Sequence, residues 1–525
     1  MKRQKIKCDS GVNPIHRMSL RLSVPFKNEA IRFASLTTRL ILLFAFLFTL
    51  VEISSYRNIT LVPYVLFGFG IAILILKIKW GILYYLTVNL LSTDTPYTYL
   101  TTGFSSVHTT QIAGMTIMSL WTLLVLFWSV CHIMQKMRTK VFLSHIDKLM
   151  LIMGLLFGIE AVLGLRHSNI NLSVFISDFS YFINMGIAYL AVRLTCRDKH
   201  SLYVLLALVV ACLIVRACAG IIYFFVGIGE MAGANVRAVT DSIRNIFPLL
   251  ILLNIAYFVR YPFSKDHVVR RLFMLGGIIG MFNLISYASR GNIVMTFIGF
   301  IILMLLSRNY KSPRRHLSFP FKSFFKIVIP VIILLSLTLW SMETIRPGSS
   351  RYVSWKLHSL TMINSKGDKI SSAATRWLEF KNIVPYLWDR GSIIWGEGLG
   401  GWFTDEYYPF AASLLGGSAF KDEWILQGRL YKPHGTQLFI LLKMGVGGLV
   451  VYYSILFMIF IKGIKVSRIC NDPLLRIFLL GIISFLPLLF YKNFISKMQV
   501  FMGILIGIIA VVQKLYSVEH LRTRN

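Results

Sequence analysis

Charged residues are scarce in this chain, and acidic residues are scarcer than basic ones. Only 15% of its 525 residues are Asp, Glu, Lys or Arg, whereas a soluble domain carries about 25%. Hydrophobic residues make up 56%, and the mean hydropathy is +0.67. This composition excludes a string of soluble domains and predicts an integral membrane protein. The apolar runs recur almost end to end, so we expect one membrane domain with one sizeable loop.

Three further absences narrow the class of protein. No small-residue cleavage site follows the first apolar run, so the basic N-terminus is expected to precede a retained anchor rather than a signal peptide. None of the six cysteines falls in a predicted outer connection, so no extracytoplasmic disulfide is expected. The longest polar stretch, residues 343–434, which is predicted to be an outer loop, contains no Asp-x-Asp or other obvious carboxylate site for a metal. We therefore expect neither a metal nor a cofactor.

Fourteen apolar runs predict the transmembrane helices, although several are shorter than the roughly 20 residues of a full crossing. In chain order they are 36–53, 61–76, 80–91, 112–134, 146–165, 172–194, 202–227, 243–260, 268–288, 291–306, 327–342, 435–461, 475–490 and 495–512. The prediction is an all-α polytopic membrane protein with about 12–14 transmembrane helices and one large extracytoplasmic loop.

The basic residues are distributed unevenly between the two sides of the predicted membrane. When charges at span ends are assigned to the adjoining connection, 35 Lys and Arg lie on the inner side, 7 in short outer connections and 11 in the long outer loop. Since cytoplasmic connections carry the excess of Lys and Arg, both termini are predicted to be cytoplasmic. This asymmetry accounts for the net charge of +33 without a nucleic-acid partner.

These assignments divide the chain into five segments. We expect residues 1–35 to be a basic cytoplasmic segment, loosely ordered or lying on the anionic inner leaflet. The remaining segments are a transmembrane helix bundle at 36–342, a large periplasmic loop at 343–434, C-terminal transmembrane helices at 435–512 and a cytoplasmic tail at 513–525.

Three charged residues fall inside successive predicted spans. Glu160, Asp178 and Arg216 each lie in the outer half of a span. Charges in this position are costly and usually face a cavity or a partner. We expect Arg216 to pair with Asp178 or Glu160, either lining an outward-facing cavity or locking three helices together.

Two arginines are candidates for binding an anion at the outer surface. Arg290 lies in Ser289-Arg290-Gly291, between two apolar runs with almost no room for a loop. Its alternative role is that of an arginine snorkelling to the headgroups. Arg376 lies in or near the first turn of an amphipathic helix that Ser371 or Ser372 can cap.

His434 lies where a polar loop becomes an apolar helix, and Gly445 follows eleven positions later. Eleven residues at 100° each return almost to the starting azimuth, so a continuous helix would place both on one face. We expect Gly445 to allow close helix packing beneath the histidine. A titratable group at the mouth of a span suits chemistry at a membrane surface, and an interfacial anchor is the alternative.

Together these residues resemble the O-antigen ligase and polymerase superfamily, bacterial inner-membrane enzymes that act on undecaprenyl-diphosphate-linked glycans. The resemblance covers residues 278–457 and comprises four features of the sequence. They are the Ser-Arg-Gly turn at Arg290, the Arg-Trp pair at Arg376, a Gly-x-Gly-x-Gly turn beginning at Gly396, and His434 with Gly445.

The resemblance implies metal-independent glycosyl transfer on the periplasmic side of the inner membrane. An acceptor hydroxyl attacks the lipid-linked glycan and undecaprenyl diphosphate leaves. His434 would be the general base, and Arg290 and Arg376 would hold the diphosphate. The implied partners are the lipid-linked donor, lipid A-core or a growing glycan as acceptor, and membrane lipids, with no nucleic acid.

Three functions remain open at this point. The single large outer loop favours an O-antigen ligase that transfers glycan to lipid A-core. A polymerase of O-antigen or exopolysaccharide repeat units is the alternative. A polysaccharide transporter or lipid-carrier flippase is the second alternative, and it would need charges near mid-membrane and internal repeats.

Overall fold

A computed structural model describes residues 14–56, 61–92, 103–108, 110–112, 115–137, 144–166, 170–226, 245–260, 267–286, 290–308, 336–337, 340, 343–344, 372–410, 422–492 and 496–522. Almost all of these residues are helical, which confirms the all-α prediction. Within the described residues, the sheet consists of two short antiparallel strands, β1 (Gln111–Ile112) and β2 (Met115–Thr116). A 3₁₀ helix at Gly103–His108 precedes them.

The α-helices are, in chain order, α1 (Pro14–Tyr56), α2 (Val62–Leu76), α3 (Ile78–Leu91), α4 (Ile117–Met137), α5 (His145–Gly164), α6 (Leu172–Thr195), α7 (Lys199–Val226), α8 (Pro248–Arg260), α9 (His267–Ser286), α10 (Arg290–Arg308), α11 (Ser372–Asp389), α12 (Asp422–Leu426), α13 (Thr436–Ile469), α14 (Pro473–Tyr491) and α15 (Ser496–Arg522). Seven of the described helices contain segments long and apolar enough to cross a membrane, and four shorter apolar helices accompany them. The chain is therefore a multi-pass membrane protein. The predicted span at 327–342 lies almost entirely outside the described residues.

The described part of the N-terminal segment is helical and not loosely ordered. Residues 14–35 form the first half of α1 and continue into the predicted span. Phe33 and Ala34 are buried, and Glu29 accepts hydrogen bonds from Lys199 at the start of α7. Helix α1 is thus part of the bundle before it reaches the first apolar run.

Helix α15 lies at the centre of the bundle, where nearly every residue from Met498 to Val512 is buried. Its contact with α6 depends on Gly503 and Gly507, which are spaced four residues apart. A Cβ at Gly503 would strike the backbone oxygen of Met185, and one at Gly507 would lie 2.8 Å from Val192 Cβ. Small residues at this spacing let two membrane helices approach closely.

Polar side chains gather at two opposite ends of the bundle. At one, the Asp472 end, Lys199 forms ion pairs with Glu29 and with Asp472, which also caps α14. The other, the His434 end, contains the end of α14, the start of α10 and the outer-loop helix α11. Residues from predicted inner connections meet at the first end and residues from predicted outer connections meet at the second, which is the grouping that alternating spans require.

The described part of the predicted outer loop has an apolar core of its own that rests on the first half of α13. Its buried members come from α11, from the segments before and after α12, and from α13; they are Ile383, Tyr386, Leu387, Phe403, Phe410, Leu430, Leu441 and Leu442. A β-bridge between Phe403 and Leu430 joins the two connecting segments. This packing fixes α11 beside the helix end that carries the candidate histidine.

Candidate functional site

Helix α13 is broken at Gly445. This residue has φ +63° and ψ −169°, so Thr436–Met444 and Val446–Ile469 are two helical segments rather than one. The expectation that His434 and Gly445 share a face of one continuous helix is therefore wrong. The helix also begins at Thr436, with Gly435 at its N-cap and His434 just before it.

The glycine-rich segment Gly396–Gly401 of the predicted outer loop forms backbone hydrogen bonds with α13 at this break. The amides of Glu397 and Gly398 donate to the carbonyls of Leu442 and Lys443 at 2.9 and 2.8 Å. Beyond the break, the amide of Val446 donates to the carbonyl of Ile393 at 2.9 Å. Backbone groups that the break would leave unpaired are thus satisfied by the backbone of Ile393, Glu397 and Gly398, as a broken helix in a membrane protein requires. The atoms nearest to a Cβ position at Gly445 belong to Ile394 and Gly396, so this glycine gives room to the loop.

His434 is held by a buried carboxylate from α11. Its Nδ1 lies 2.5 Å from Oε1 of Glu379, and its backbone amide donates to both carboxylate oxygens at 3.1 and 3.0 Å. Glu379 is fully buried, while the His434 side chain is 34% exposed. Because an ionised carboxylate only accepts hydrogen bonds, the proton of the neutral imidazole belongs on Nδ1. Nε2 is then the nitrogen that can take a proton from a substrate.

Arg376 lies one helical turn before Glu379 on α11. Residues three apart on a helix are neighbours, so the arginine and the His434–Glu379 pair occupy one region. Its Nη1 donates a long hydrogen bond of 3.5 Å to the hydroxyl of Tyr491 at the end of α14. Its Nε is buried and has no hydrogen-bond partner among the described residues.

The start of α10 meets the same end of α14. A Cβ at Gly291 would lie 3.0 Å from Lys492 Cε and 3.2 Å from the Tyr491 ring, so this glycine gives the lysine room. The Nζ of Lys492 donates to Asn292 Oδ1 at 2.7 Å. The fold therefore brings the backbone of Arg290 and the guanidinium of Arg376 to one pair of residues, Tyr491 and Lys492. The Arg290 side chain lies outside the described atoms.

The three charges inside spans do not pair as expected. Asp178 forms an ion pair of 2.8 Å with Lys443, and both side chains are fully buried. Lys443 also donates to the carbonyl of Gly401, and the amide of Gly400 donates to Asp178 at 3.0 Å. The predicted partner of Asp178, Arg216, instead lies over the ring of Phe48, with 5.6 Å from Cζ to the ring centroid. The ion pair thus locks α6, α13 and the glycine-rich segment together.

Glu160 has a different role from the one expected. Its backbone carbonyl accepts a hydrogen bond of 3.1 Å from the amide of Leu399 in the glycine-rich segment. The side chain is buried, and its Oε2 has no hydrogen-bond partner in the structure. Glu160 therefore marks the place where the outer loop docks against the end of α5.

Sequence reasoning missed Glu379, Lys443 and Lys492. Glu379 carried a usable signal, since it follows Arg376 by three positions on a predicted helix and so shares its face. Lys443 lies inside the predicted span 435–461, and Lys492 lies in the short connection between the predicted spans 475–490 and 495–512. Nothing local in the sequence links either lysine to its partner, because each partner is more than 190 positions away.

Comparison of this chain with protein-family models and with curated proteins finds no match. The site itself combines a histidine oriented by a carboxylate with two cationic side chains, Arg376 and Lys492, on neighbouring elements. Such a group can remove a proton from a hydroxyl while fixed positive charge stabilises a phosphate leaving group. Among the described residues, no cluster of three or more His, Cys, Asp or Glu could hold a metal ion.

Proposed function

We propose that this protein is a membrane glycosyltransferase that moves a glycan from an undecaprenyl-diphosphate carrier to an acceptor hydroxyl. The resemblance of its Arg290, Arg376, Gly396 and His434 motifs to the O-antigen ligase and polymerase superfamily supplies the substrate class. The observation that carries the proposal is the hydrogen-bonded pair of His434 and Glu379 at the end of the bundle. The reaction is proposed to occur on the periplasmic side of the bacterial inner membrane, without metal or cofactor.

The His434–Glu379 pair fits a general base. A carboxylate on Nδ1 fixes the tautomer and stabilises the imidazolium that forms when Nε2 takes a proton. An interfacial anchor would not need a fully buried acidic partner, because headgroups and water satisfy an exposed imidazole. The backbone hydrogen bonds to the same carboxylate also fix the chain at His434 relative to α11.

The Arg376 guanidinium fits a diphosphate ligand. Its buried Nε lacks a partner, and its one hydrogen bond to Tyr491 is long. A buried Nε without a hydrogen-bond partner is costly, and an anion with several acceptor oxygens would satisfy it. Lys492 adds a second cation, and Arg290 begins the adjoining helix. The acceptor hydroxyl would attack the anomeric carbon, its proton would pass to His434, and the carrier diphosphate would leave beside the cations.

The buried charges favour a transferase over a transporter. A transporter would need charged groups that face an aqueous path near mid-membrane. The described pair in the bundle interior, Asp178 and Lys443, is fully buried and engaged with the loop backbone. His434 at the bundle end, by contrast, keeps exposed surface.

Within the superfamily, we propose the ligase that transfers glycan to lipid A-core, with the repeat-unit polymerase as the alternative. The single large outer loop supports this choice. Loss of the gene followed by a gel of surface polysaccharide separates the two. A ligase mutant leaves bare core with glycan still on the carrier, whereas a polymerase mutant leaves core with one repeat.

The direct test is glycan transfer by purified His434→Gln in liposomes, with binding of the undecaprenyl-diphosphate donor measured in parallel. The amide keeps a polar side chain but cannot accept a proton near neutral pH, so transfer should fall by about 10²–10⁴-fold while donor binding persists. His145→Gln is the matched control, an exposed histidine at the start of α5. Transfer at the wild-type rate by His434→Gln would refute the base assignment.

A further inference from the structure

A second group of cations lies in the outer loop around Trp402. The guanidinium carbon of Arg429 lies 4.6 Å from the centroid of the Trp402 ring, and that of Arg390 lies 5.8 Å from it. Tyr431 packs edge-on against the same indole at a centroid distance of 6.1 Å. Two arginines on one aromatic ring place two positive charges within a small volume.

Only one of these two charges is balanced. Arg390 forms an ion pair of 3.4 Å with Glu397, which is 2% exposed, and donates to the hydroxyl of Tyr386 at 2.8 Å. Burial raises the pKa of Tyr386 above its usual range, so this hydroxyl stays neutral. Within the part of the chain that the structure describes, the Arg429 guanidinium forms neither an ion pair nor a hydrogen bond.

The unbalanced charge indicates the kind of group that would complete the cluster. A guanidinium presents a rigid fork of donors that matches a carboxylate through two parallel hydrogen bonds. Arg390, Arg429 and Glu397 together carry one net positive charge. A singly charged carboxylate balances this charge better than a phosphate monoester with nearly two negative charges. Arg390, over the same indole, already forms an ion pair with a carboxylate, that of Glu397.

The cluster lies within reach of the proposed reaction centre. Arg429 precedes His434 by five residues, which span at most about 17 Å when extended. Arg390 follows Glu379 by eleven residues along and just beyond α11, a helical distance of about 16 Å. A glycan that reacts at His434 would extend over this distance with a few of its sugar units.

We propose that Trp402, Arg390 and Arg429 form a subsite for an acidic, carboxylate-bearing sugar residue of the transferred glycan or its acceptor. The identification of the ligand as a glycan rests on the proposed transferase function. Binding at the subsite is independent of His434, because no bond is made or broken there. Arg429 supplies the positive charge that pairs with the sugar carboxylate, and Trp402 holds the Arg429 guanidinium in place.

The test uses the full-length protein in detergent and fluorescently labelled trigalacturonic acid as the probe. The fully methyl-esterified trisaccharide serves as the neutral control ligand. Wild type should bind the acid more tightly than the ester, and Arg429→Gln should weaken binding of the acid by about tenfold or more without affecting the ester. Equal affinity of wild type for acid and ester, or unchanged affinity in Arg429→Gln, would overturn the subsite.

Lys381→Gln is the matched control variant. Its Nζ also lies over aromatic rings of the outer loop, 5.7 Å from the Trp377 centroid and 4.8 Å from that of Tyr408. This variant should bind trigalacturonic acid as wild type does. A loss as large as that of Arg429→Gln would show that any loop cation suffices, which contradicts the proposal. Trp402→Phe, which keeps an aromatic plane, gives a second probe of the subsite should Arg429→Gln fold poorly, and it should bind the acid more weakly.

His434→Gln separates this proposal from the transferase. If that variant binds the acid normally, the subsite stands whether or not transfer is lost. In the transfer assay, a raised KM of Arg429→Gln for the lipid-linked donor assigns the acidic sugar to the donor, and a raised KM for the acceptor assigns it to the acceptor. An unchanged KM for both substrates would contradict a role in glycan binding.

Discussion

Gly396 and Gly445 meet backbone to backbone where the outer loop crosses the break in α13. Both have positive φ, +72° and +63°, and a Cβ on either would come within 2.5–2.6 Å of the amide nitrogen of the other. No other residue type fits this crossing without strain or displacement of backbone. The contact ties the loop that bears Arg376 and Glu379 to the helix that follows His434, so the geometry of the site depends on it.

Gly445→Ala should therefore lower the melting temperature and reduce glycan transfer. Gly445 has φ +63° and ψ −169°, a region essentially restricted to glycine, so an alanine there costs roughly 1–3 kcal/mol, and the clash with the backbone of Gly396 adds to it. Gly391→Ala is the control, because Gly391 has φ +65° but open space around its Cβ position. Thermal unfolding of both purified variants measures the difference. Equal losses would show that the close contact contributes nothing beyond the dihedral strain.

Lys443→Met should be more harmful than the double change Lys443→Met with Asp178→Leu. Removing one member of a fully buried ion pair leaves an uncompensated charge and costs about 3–5 kcal/mol. Removing both spares that penalty, although the carbonyl of Gly401 still loses its donor. Melting temperatures of the wild type, both single variants and the double variant give the coupling. Additive effects of the two single changes would argue against a direct ion pair.

Glu379→Gln should lower kcat for transfer while leaving the KM for the donor nearly unchanged. The amide retains the shape of the side chain but cannot stabilise an imidazolium at His434, so we expect a loss of about 10²–10⁴-fold. Glu423→Gln, at an exposed carboxylate of the same loop, should have no effect. A normal kcat in Glu379→Gln would show that Glu379 has a purely structural role.

The sidedness of the bundle can be tested with single cysteines in a cysteine-free background. Gln427 is exposed in the outer loop, and Lys148 is exposed near the start of α5. An impermeant thiol reagent added to intact spheroplasts should label Gln427→Cys and spare Lys148→Cys, as the distribution of basic residues predicts. Lysed cells, in which both positions react, provide the control. The reverse pattern would place His434 in the cytoplasm and remove its proposed substrate.

Local signals in the sequence predicted the elements but not their partners. Hydropathy located most of the described helices because an apolar run of membrane-spanning length favours a membrane helix whatever the rest of the chain contains. The spacing of apolar residues also identified α11, since they recur three and four positions apart. The same reasoning failed at Gly445, because a sequence read as one apolar run gives no sign that another segment will enter the helix and replace its hydrogen bonds.

The charged residues show the same limit. Partners or a cavity were predicted for Glu160, Asp178 and Arg216, but their nearness in sequence suggested the wrong pairing. The actual partner of Asp178, Lys443, lies on a helix that is distant in sequence but adjacent in space. Coulomb energy depends on separation in space and on local burial, and sequence order determines neither of these.

By itself, the sequence determined that this is a helical, multi-pass membrane protein with a long loop carrying arginines and a helix end carrying a histidine. Those properties follow from composition and periodicity, which act over one element at a time. The tertiary structure decided that Glu379 holds His434, that Arg376 meets Tyr491 beside Lys492, and that the glycine-rich segment enters the break in α13. Each of these contacts joins residues from separate elements, and only packing of the helices and the outer loop against one another sets the distances between them.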